Sequence, residues 1–460
     1  YESMAVPLGI NAKGDIVYLD IHEKHHGPHG LVVGTTGSGK SELLLSFVLG
    51  AAALYHPYEI GFMIIDFKGG GMVNQLVGLP HIIGAVTNIE GKAISRSLRS
   101  IKAELIKRQR LFAAAGVNHI DRYIKKYKEG RTAEALPHLI IIVDEFAELK
   151  AERPDFMKEV ISTARIGRSL GVHLILATQK PAGQVNDQIW SNSTFRICLK
   201  VQTAEDSKEV LRSPLASEIR EPGRAYLQTG NNGMLELFQS GFSGTAGSSD
   251  QIESSKEYCI STVDFTGKRS VVFKKEKNSS KNHKTQSEIL VDHIREYCEQ
   301  ADIKKLPDIC LPELPDVIEY GYKENKEISG ENEMRIPIGL YDDPDNRLQE
   351  EAYLNISKEN TIIIGASLFG KTYFLQLVIR SIAEFFTAKE VNIYILDFGS
   401  MSLRIFSRLN HIGAVMLPGE DERIRHFFKF MSKERMSRKA RFAKLGMTSF
   451  HSYKEAGYTD

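Results

Sequence analysis

Short, wholly apolar runs alternate along the chain with longer stretches of helical periodicity. Leu31–Val33, Phe62–Ile65, Leu139–Val143 and His173–Ala177 predict strands. A continuous apolar run such as Leu139-Ile140-Ile141-Ile142-Val143 is what a central strand buried on both faces requires. Ser41–Ala53, Ala93–Ala115 and Asp155–Leu170 predict helices, the second with Lys and Arg along one side. Strand and helix in alternation predict an α/β fold with a parallel, doubly wound sheet.

Part of this order returns later in the chain. GTTGSGKS, Gly34–Ser41, recurs 331 residues on as GASLFGKT, Gly365–Thr372. FMIIDF, ending its apolar run at Asp66, recurs as IYILDF with Asp397, and LPHIIGAV from Leu79 resembles LNHIGAV from Leu409. Phe112, Gly116 and Tyr123 match Phe442, Gly446 and Tyr453. A fixed offset held over so many positions is the mark of a duplicated structural unit. The expected organisation is a complete unit over residues 1–240, a connector over 241–330 and the front half of a second unit over 331–460. The connector is Gly/Ser-rich over 241–255 and Lys/Arg-rich over 268–285, and then carries Pro312-Glu313-Leu314-Pro315. Its basic stretch reads as a solvated linker, with nucleic acid or anionic lipid as the alternative.

Composition narrows this little. The chain has 460 residues, 42% hydrophobic and 25% charged, with a net charge of +1. These values suit a soluble globular class and give no global electrostatic reason for a nucleic-acid partner. Cys198, Cys259, Cys298 and Cys310 have neither metal-ligand nor disulfide-framework spacing. No apolar run approaches a membrane span. The start, Tyr1-Glu2-Ser3, has neither initiator Met nor signal peptide and reads as the beginning of a fragment.

The candidate chemistry lies at the ends of the predicted strands. Gly34, Thr35, Thr36, Gly37, Ser38, Gly39, Lys40 and Ser41 fit G-x4-G-K-[ST], a loop whose backbone N–H groups form a phosphate nest before a helix. Lys40 would reach the β- and γ-phosphates of ATP, and Ser41 would ligate Mg²⁺. Asp144 and Glu145 end a buried strand, placing Asp144 in the metal shell and Glu145 on the attacking water. Gln179 reads as a γ-phosphate sensor or a turn residue. Arg165 and Arg168 read as a finger reaching a neighbouring subunit's nucleotide or as a solvated helix face, with Arg196 a second choice. Asp66-Phe67-Lys68-Gly69-Gly70-Gly71 is either a structural turn or a switch near the nucleotide. In the second unit Gly365, Gly370, Lys371 and Thr372 persist, but Leu368 and Phe369 replace small residues. The counterpart of Asp144 would fall beyond residue 460, which leaves hydrolysis there open.

Together GTTGSGKSE, IIDFKGGG, IIIVDEFAEL, ARIGRSLGVHLILATQKP and EPGRAYLQTG resemble the FtsK/SpoIIIE class of hexameric P-loop motors. The resemblance implies tandem RecA-like, additional-strand ATPase domains with mainly parallel central sheets. The tandem arrangement, the DFKGGG variant and AEDSKEVLRSPLASEIREPGRAYL look like the EssC/EccC membrane ATPase of type VII secretion, second domain complete and third partial. That family implies ATP with Mg²⁺, a homo-hexamer on the cytoplasmic side of the cell membrane, other subunits of the secretion machine, and small helical Esx-type substrates. Double-stranded DNA translocation and a nucleotide-stabilised docking platform with little turnover are the competing readings. Protein cargo fits the neutral charge better than nucleic acid does.

Overall fold

Every residue of the strands His29–Val33, Ile60–Asp66, His138–Asp144 and Val172–Thr178 is buried, as their unbroken apolar runs demand. The computed structural model describes residues 3–66, 70–87, 91–181, 193–230, 233, 235–245, 247, 259–263, 265, 269–274, 284–319, 334–357 and 360–458. The chain divides into two units, Tyr1–Glu313 with Asp343–Arg347 and Leu314–Asp342 with Leu348–Asp460.

The first unit begins with β1 (Ala5–Asn11), β2 (Ile16–Asp20), β3 (His29–Val33), α1 (Lys40–Leu54) and β4 (Ile60–Asp66). The short α2 (Gly71–Gln75), β5 (Ile82–Val86), α3 (Gly91–Ala115), α4 (Ile120–Lys128) and β6 (His138–Asp144) follow. Then come α5 (Phe146–Glu152), α6 (Pro154–Gly167), β7 (Val172–Thr178), β8 (Phe195–Cys198) and α7 (Ala204–Leu211). The last members are β9 (Arg224–Thr229), β10 (Leu235–Ser240), β11 (Cys259–Val263), β12 (Arg269–Lys274) and α8 (Gln286–Gln300).

Ten strands form one sheet in the order β2-β1-β10-β9-β8-β3-β7-β6-β4-β5. From β8 to β5 the neighbours are parallel, and β9, β10, β1 and β2 extend that edge antiparallel. The two-residue side-chain period splits each central strand between two cores. Ile141 and Val143 pack with Tyr123 and Val160 on one face, while Ile140 and Ile142 pack with Leu44 and Val48 of α1 on the other.

The segment expected as a connector over 241–330 is not all linker. β11 and β12 pair antiparallel, and α8 carries a capping box between Thr285 and Glu288. Val291 of α8 is buried in the α1-side core. Farther on, Ile309 N–H donates to Ile83 O of β5 at 2.6 Å and its side chain joins the opposite core. The helical pattern of Gln286–Gln300 is short and follows a Lys-rich stretch, so composition alone hid it. The boundary between the units falls between Glu313 and Leu314.

The second unit holds β13 (Arg335–Asp343) paired with β14 (Leu348–Asn355), α9 (Lys371–Phe385), parallel β15 (Ile393–Leu396) and β16 (Ile412–Met416), α10 (Asp421–Lys444) and α11 (Phe450–Glu455). Its local geometry repeats that of the first. His81 Nε2 meets Tyr55 O at 2.8 Å and His411 Nε2 meets Phe386 O at 2.7 Å. Asp66 accepts from Met72 N–H as Asp397 does from Leu403 N–H. One element differs. Leu31 and Val33 lie within β3, whereas Ile362 and Ile364, at the matching positions, are 83% and 90% exposed outside any strand. In the first unit β7 and β8 flank that strand, and among the described residues the second unit has no counterpart of either.

Away from the P-loop, at the amino-terminal ends of the parallel strands, lies a histidine network. His138 Nδ1 meets His173 Nε2 at 2.9 Å, and Asp121 lies 3.2 Å from His22 and 3.3 Å from His138. Burial opposes the Asp121 carboxylate, yet hydrogen bonds from His138 and His22 hold its pKa well below the usual range. Burial pushes His138 and His173 down, and carries His29 and His81 from 6.5 to about 4. Between those two values the unfolded chain binds more protons than the folded one, so stability falls as pH falls. The unfolding midpoint of the first unit should drop on acidification from neutral, each such histidine contributing about 1.4 kcal/mol per pH unit within the window. Thermal unfolding followed by circular dichroism across that range checks this, and a His29→Asn, His81→Asn variant should show the flatter profile.

Candidate functional site

Parallel strands deliver their carboxyl ends to one edge of the sheet, and the sequence motifs lie there. Gly34 N–H donates to Thr178 O at 3.1 Å and Thr35 N–H to Lys200 O at 2.9 Å, which fixes the loop's entry between β7 and β8. Ser38 N–H closes the turn on Thr35 O at 3.0 Å. Gly39 caps α1 at φ 94°, a left-handed angle, and a Cβ there would lie 2.6 Å from Gly223 N. Glycine is therefore required twice over. Gly223 N–H in turn donates to Ser38 O at 2.7 Å, so the Pro222-Gly223 turn clasps the P-loop from outside.

The acidic wall comes from β6. Lys40 and Glu145 are only 6% and 4% exposed, and Asp144 is buried with them. Lys40 Nζ donates to Asp144 Oδ1 and stands 4.0 Å from Glu145 Oε2. Glu145 adopts φ 55°, which turns its side chain across the end of β7. There Glu145 Oε1 accepts from Thr178 Oγ1 at 3.0 Å and from Gln179 N–H at 3.1 Å. Asp66, buried at the end of β4, is paired in register with Asp144.

Two carboxyl groups, those of Asp144 and Glu145, meet one ammonium, which leaves more acid than base for a divalent cation to exploit. Among the described residues no group of three His, Cys, Asp or Glu side chains is placed to hold a metal alone. That suits Mg²⁺, which keeps most of its waters and arrives with phosphates. The left-handed Gly37 and Gly39, the first turn of α1 and the buried Ser38 hydroxyl, which has no hydrogen-bond partner, form the complementary phosphate cradle. Ser41, exposed on α1, offers the remaining hard oxygen.

Gln179 Oε1 accepts from Thr36 Oγ1 at 2.8 Å, tying the end of β7 to the P-loop. Beside this bond opens a cleft of about 340 Å³ whose walls include Lys180, Lys200, Asp206, Arg220 and Glu221. Motif spacing did not single these residues out, nor Thr178. For Thr178, Lys180, Arg220 and Glu221 the signal was their place in ATQKP and EIREPGR, and Lys200 and Asp206 lie in neither.

Other expected residues lie elsewhere. Arg165 is exposed near the end of α6, and Arg168 Nε donates to Glu23 Oε2 at 2.9 Å. Both precede β7, seven residues long, and so belong to the amino-terminal edge, away from their own chain's P-loop. Arg196 is buried in β8 and donates to Gln228 Oε1 at 3.4 Å, which removes it from the surface a finger needs. In the glycine-rich turn Asp66 caps α2 and Gly70 is left-handed at φ 71°. Phe67, Lys68 and Gly69 lie outside the described residues.

The second P-loop is closed on itself. Lys371 Nζ donates to Gly365 O at 2.7 Å and Ala366 O at 2.6 Å. Gly370 caps α9 at φ 81° as Gly39 caps α1, but Leu368 is forced to φ 67° and projects into solvent with Phe369. Thr372 stands at the Ser41 position, half-buried.

Comparison with known proteins agrees with this geometry. Type VII secretion system protein EssC of Staphylococcus aureus is 43% identical over 99% of this chain and 32% of its own length. ESX secretion system protein EccC of Geobacillus thermodenitrificans is 44% identical over 98% of this chain and 30% of its own. The chain thus spans about a third of the length of the curated relatives it matches. The solved cytoplasmic domain of the Thermomonospora curvata type VII secretion ATPase EccC superposes with a TM-score of 0.77 at 28% identity, over 98% of this chain and 51% of that one. The sequence model of the FtsK/SpoIIIE family matches residues 1–183 and 327–460. With more than half its length so matched, and with the P-loop and acidic strand end in place, the chain belongs to the FtsK/SpoIIIE family of P-loop ATPases.

Proposed function

We propose that the first unit is an ATP-hydrolysing motor domain of a type VII secretion machine, coupling its nucleotide cycle to export of small helical Esx-type proteins. The observation that carries the chemistry is the buried meeting of Lys40, Asp144 and Glu145 at the mouth of the P-loop. The kinship with EssC and EccC carries the biological setting. With nucleotide bound, Lys40 would pair with the β- and γ-phosphates, and Asp144 with Ser41 would hold Mg²⁺, which would neutralise charge on the phosphates. Glu145 orients and deprotonates the attacking water, and Gln179 reports the γ-phosphate through Thr36. Arg165 or Arg168, remote from its own P-loop, serves a neighbouring subunit of a homo-hexamer at the cytoplasmic face of the membrane. No helix among the described residues is long and apolar enough to cross a membrane.

In this reading the first unit carries the hydrolytic set, with Lys40 held by Asp144, while Lys371 of the second unit is held by the carbonyls of Gly365 and Ala366.

Glu145→Gln should lower ATP turnover by roughly 10²–10⁴-fold while leaving ATP affinity near wild type. Steady-state hydrolysis beside equilibrium binding of a fluorescent ATP analogue measures both, and unchanged turnover would sink the assignment. The same titration should lose the first unit's site in Lys40→Ala and keep it in Lys371→Ala, and a site that survives Lys40→Ala would overturn the assignment of this P-loop. Hydrolysis should rise on adding an Esx-type substrate and stay flat with duplex DNA. A salt-sensitive DNA stimulus would instead favour a translocase.

A further inference from the structure

Thr178 closes β7 and lies fully buried, and no step of the proposed reaction uses it. The parallel register of β6 and β7 pairs Val143 with Leu176. Two residues further along both strands, on the same face, Glu145 comes opposite Thr178. The left-handed turn at Glu145 lays its carboxylate across that gap, where the Thr178 hydroxyl donates at 3.0 Å and Gln179 N–H at 3.1 Å to the same oxygen. Lys180 N–H donates to Thr178 Oγ1 at 3.2 Å, and of the hydroxyl's two acceptors Glu145 Oε1 at 3.0 Å is nearer than Lys180 O at 3.3 Å. The Thr178 carbonyl accepts from Gly34 N–H, and the Gln179 side chain accepts from Thr36. One dipeptide therefore grips the acid and both ends of the P-loop's first turn.

We propose that Thr178 is the positioning residue for Glu145, holding one carboxylate oxygen on β7 so that the other faces the γ-phosphate and its water. This rests on Glu145 being the base. The physical need is evident from the charges. Lys40 Nζ stands 4.0 Å from Glu145 Oε2, and without a competing hold the ammonium would draw the carboxylate into a tight ion pair that quenches it as a base. The hydroxyl and the amide N–H oppose that pull, both acting on Oε1. Threonine suits the place because its β-branched body belongs in a strand, while its hydroxyl supplies the donor.

The test is steady-state ATP hydrolysis by Thr178→Val and Thr178→Ser, under the conditions in which the wild-type chain turns over. Valine keeps the shape and removes the donor. Its kcat should fall roughly ten- to hundredfold with KM for ATP within about twofold, because a hydrogen bond to a charged group is lost. Serine should restore most of the rate. A valine variant as fast as wild type, or one that loses ATP affinity in step with rate and is not rescued by serine, overturns the proposal. A second readout does not depend on turnover. In a thermal-unfolding double-mutant cycle, Thr178→Val and Glu145→Ala should be non-additive, and simple additivity overturns the clamp. Undiminished hydrolysis by Glu145→Gln would instead strike at Glu145 as base, leaving the unfolding cycle to report on the contact itself.

Discussion

A buried ammonium held between carboxylates at the carboxyl edge of a parallel sheet is the constraint on which this site depends. Lys40 leads α1, Asp144 and Glu145 end β6, and none of the three is tolerable out of water without the others. Their meeting fixes where the P-loop lies and how α1 sits on the sheet. In the proposed mechanism a nucleotide exploits this pairing, phosphate replacing carboxylate as the partner of Lys40. Around it the fold supplies neutral donors from β7, so that the second acid is restrained without being discharged.

The second unit repeats the local geometry of this loop. Its helix cap, its aspartate after the second strand and its histidine at the helix end reproduce those of the first unit bond for bond. The lysine nevertheless folds back onto the carbonyls of its own loop.

The two edges of the first unit have opposite electrostatic character. At the P-loop edge carboxyl groups outnumber the ammonium, leaving room for an incoming cation. At the amino-terminal edge the imidazoles of His22 and His138 surround Asp121, with Arg168 and Glu23 at its rim. Nucleotide chemistry and acid sensitivity therefore reside at opposite ends of the same strands.

Much of this was legible in the sequence wherever a feature is built from consecutive residues. The apolar runs announced β3, β4, β6 and β7, the GxxxxGKS spacing announced the nest before α1, and a fixed offset announced the duplication. What the sequence could not rank were pairings between distant segments. Thr178 against Glu145, Gly223 against Gly39, α8 on the core beside α1 and Arg168 beside Glu23 all follow from strand register and helix placement. Composition and spacing carry no record of register, because a parallel sheet brings together residues that long crossover connections keep far apart in the chain. The sequence by itself determined the class of sheet and the place of the P-loop at its carboxyl edge. Only the tertiary structure decided which neighbours hold those groups in place, since that is a property of strands lying side by side.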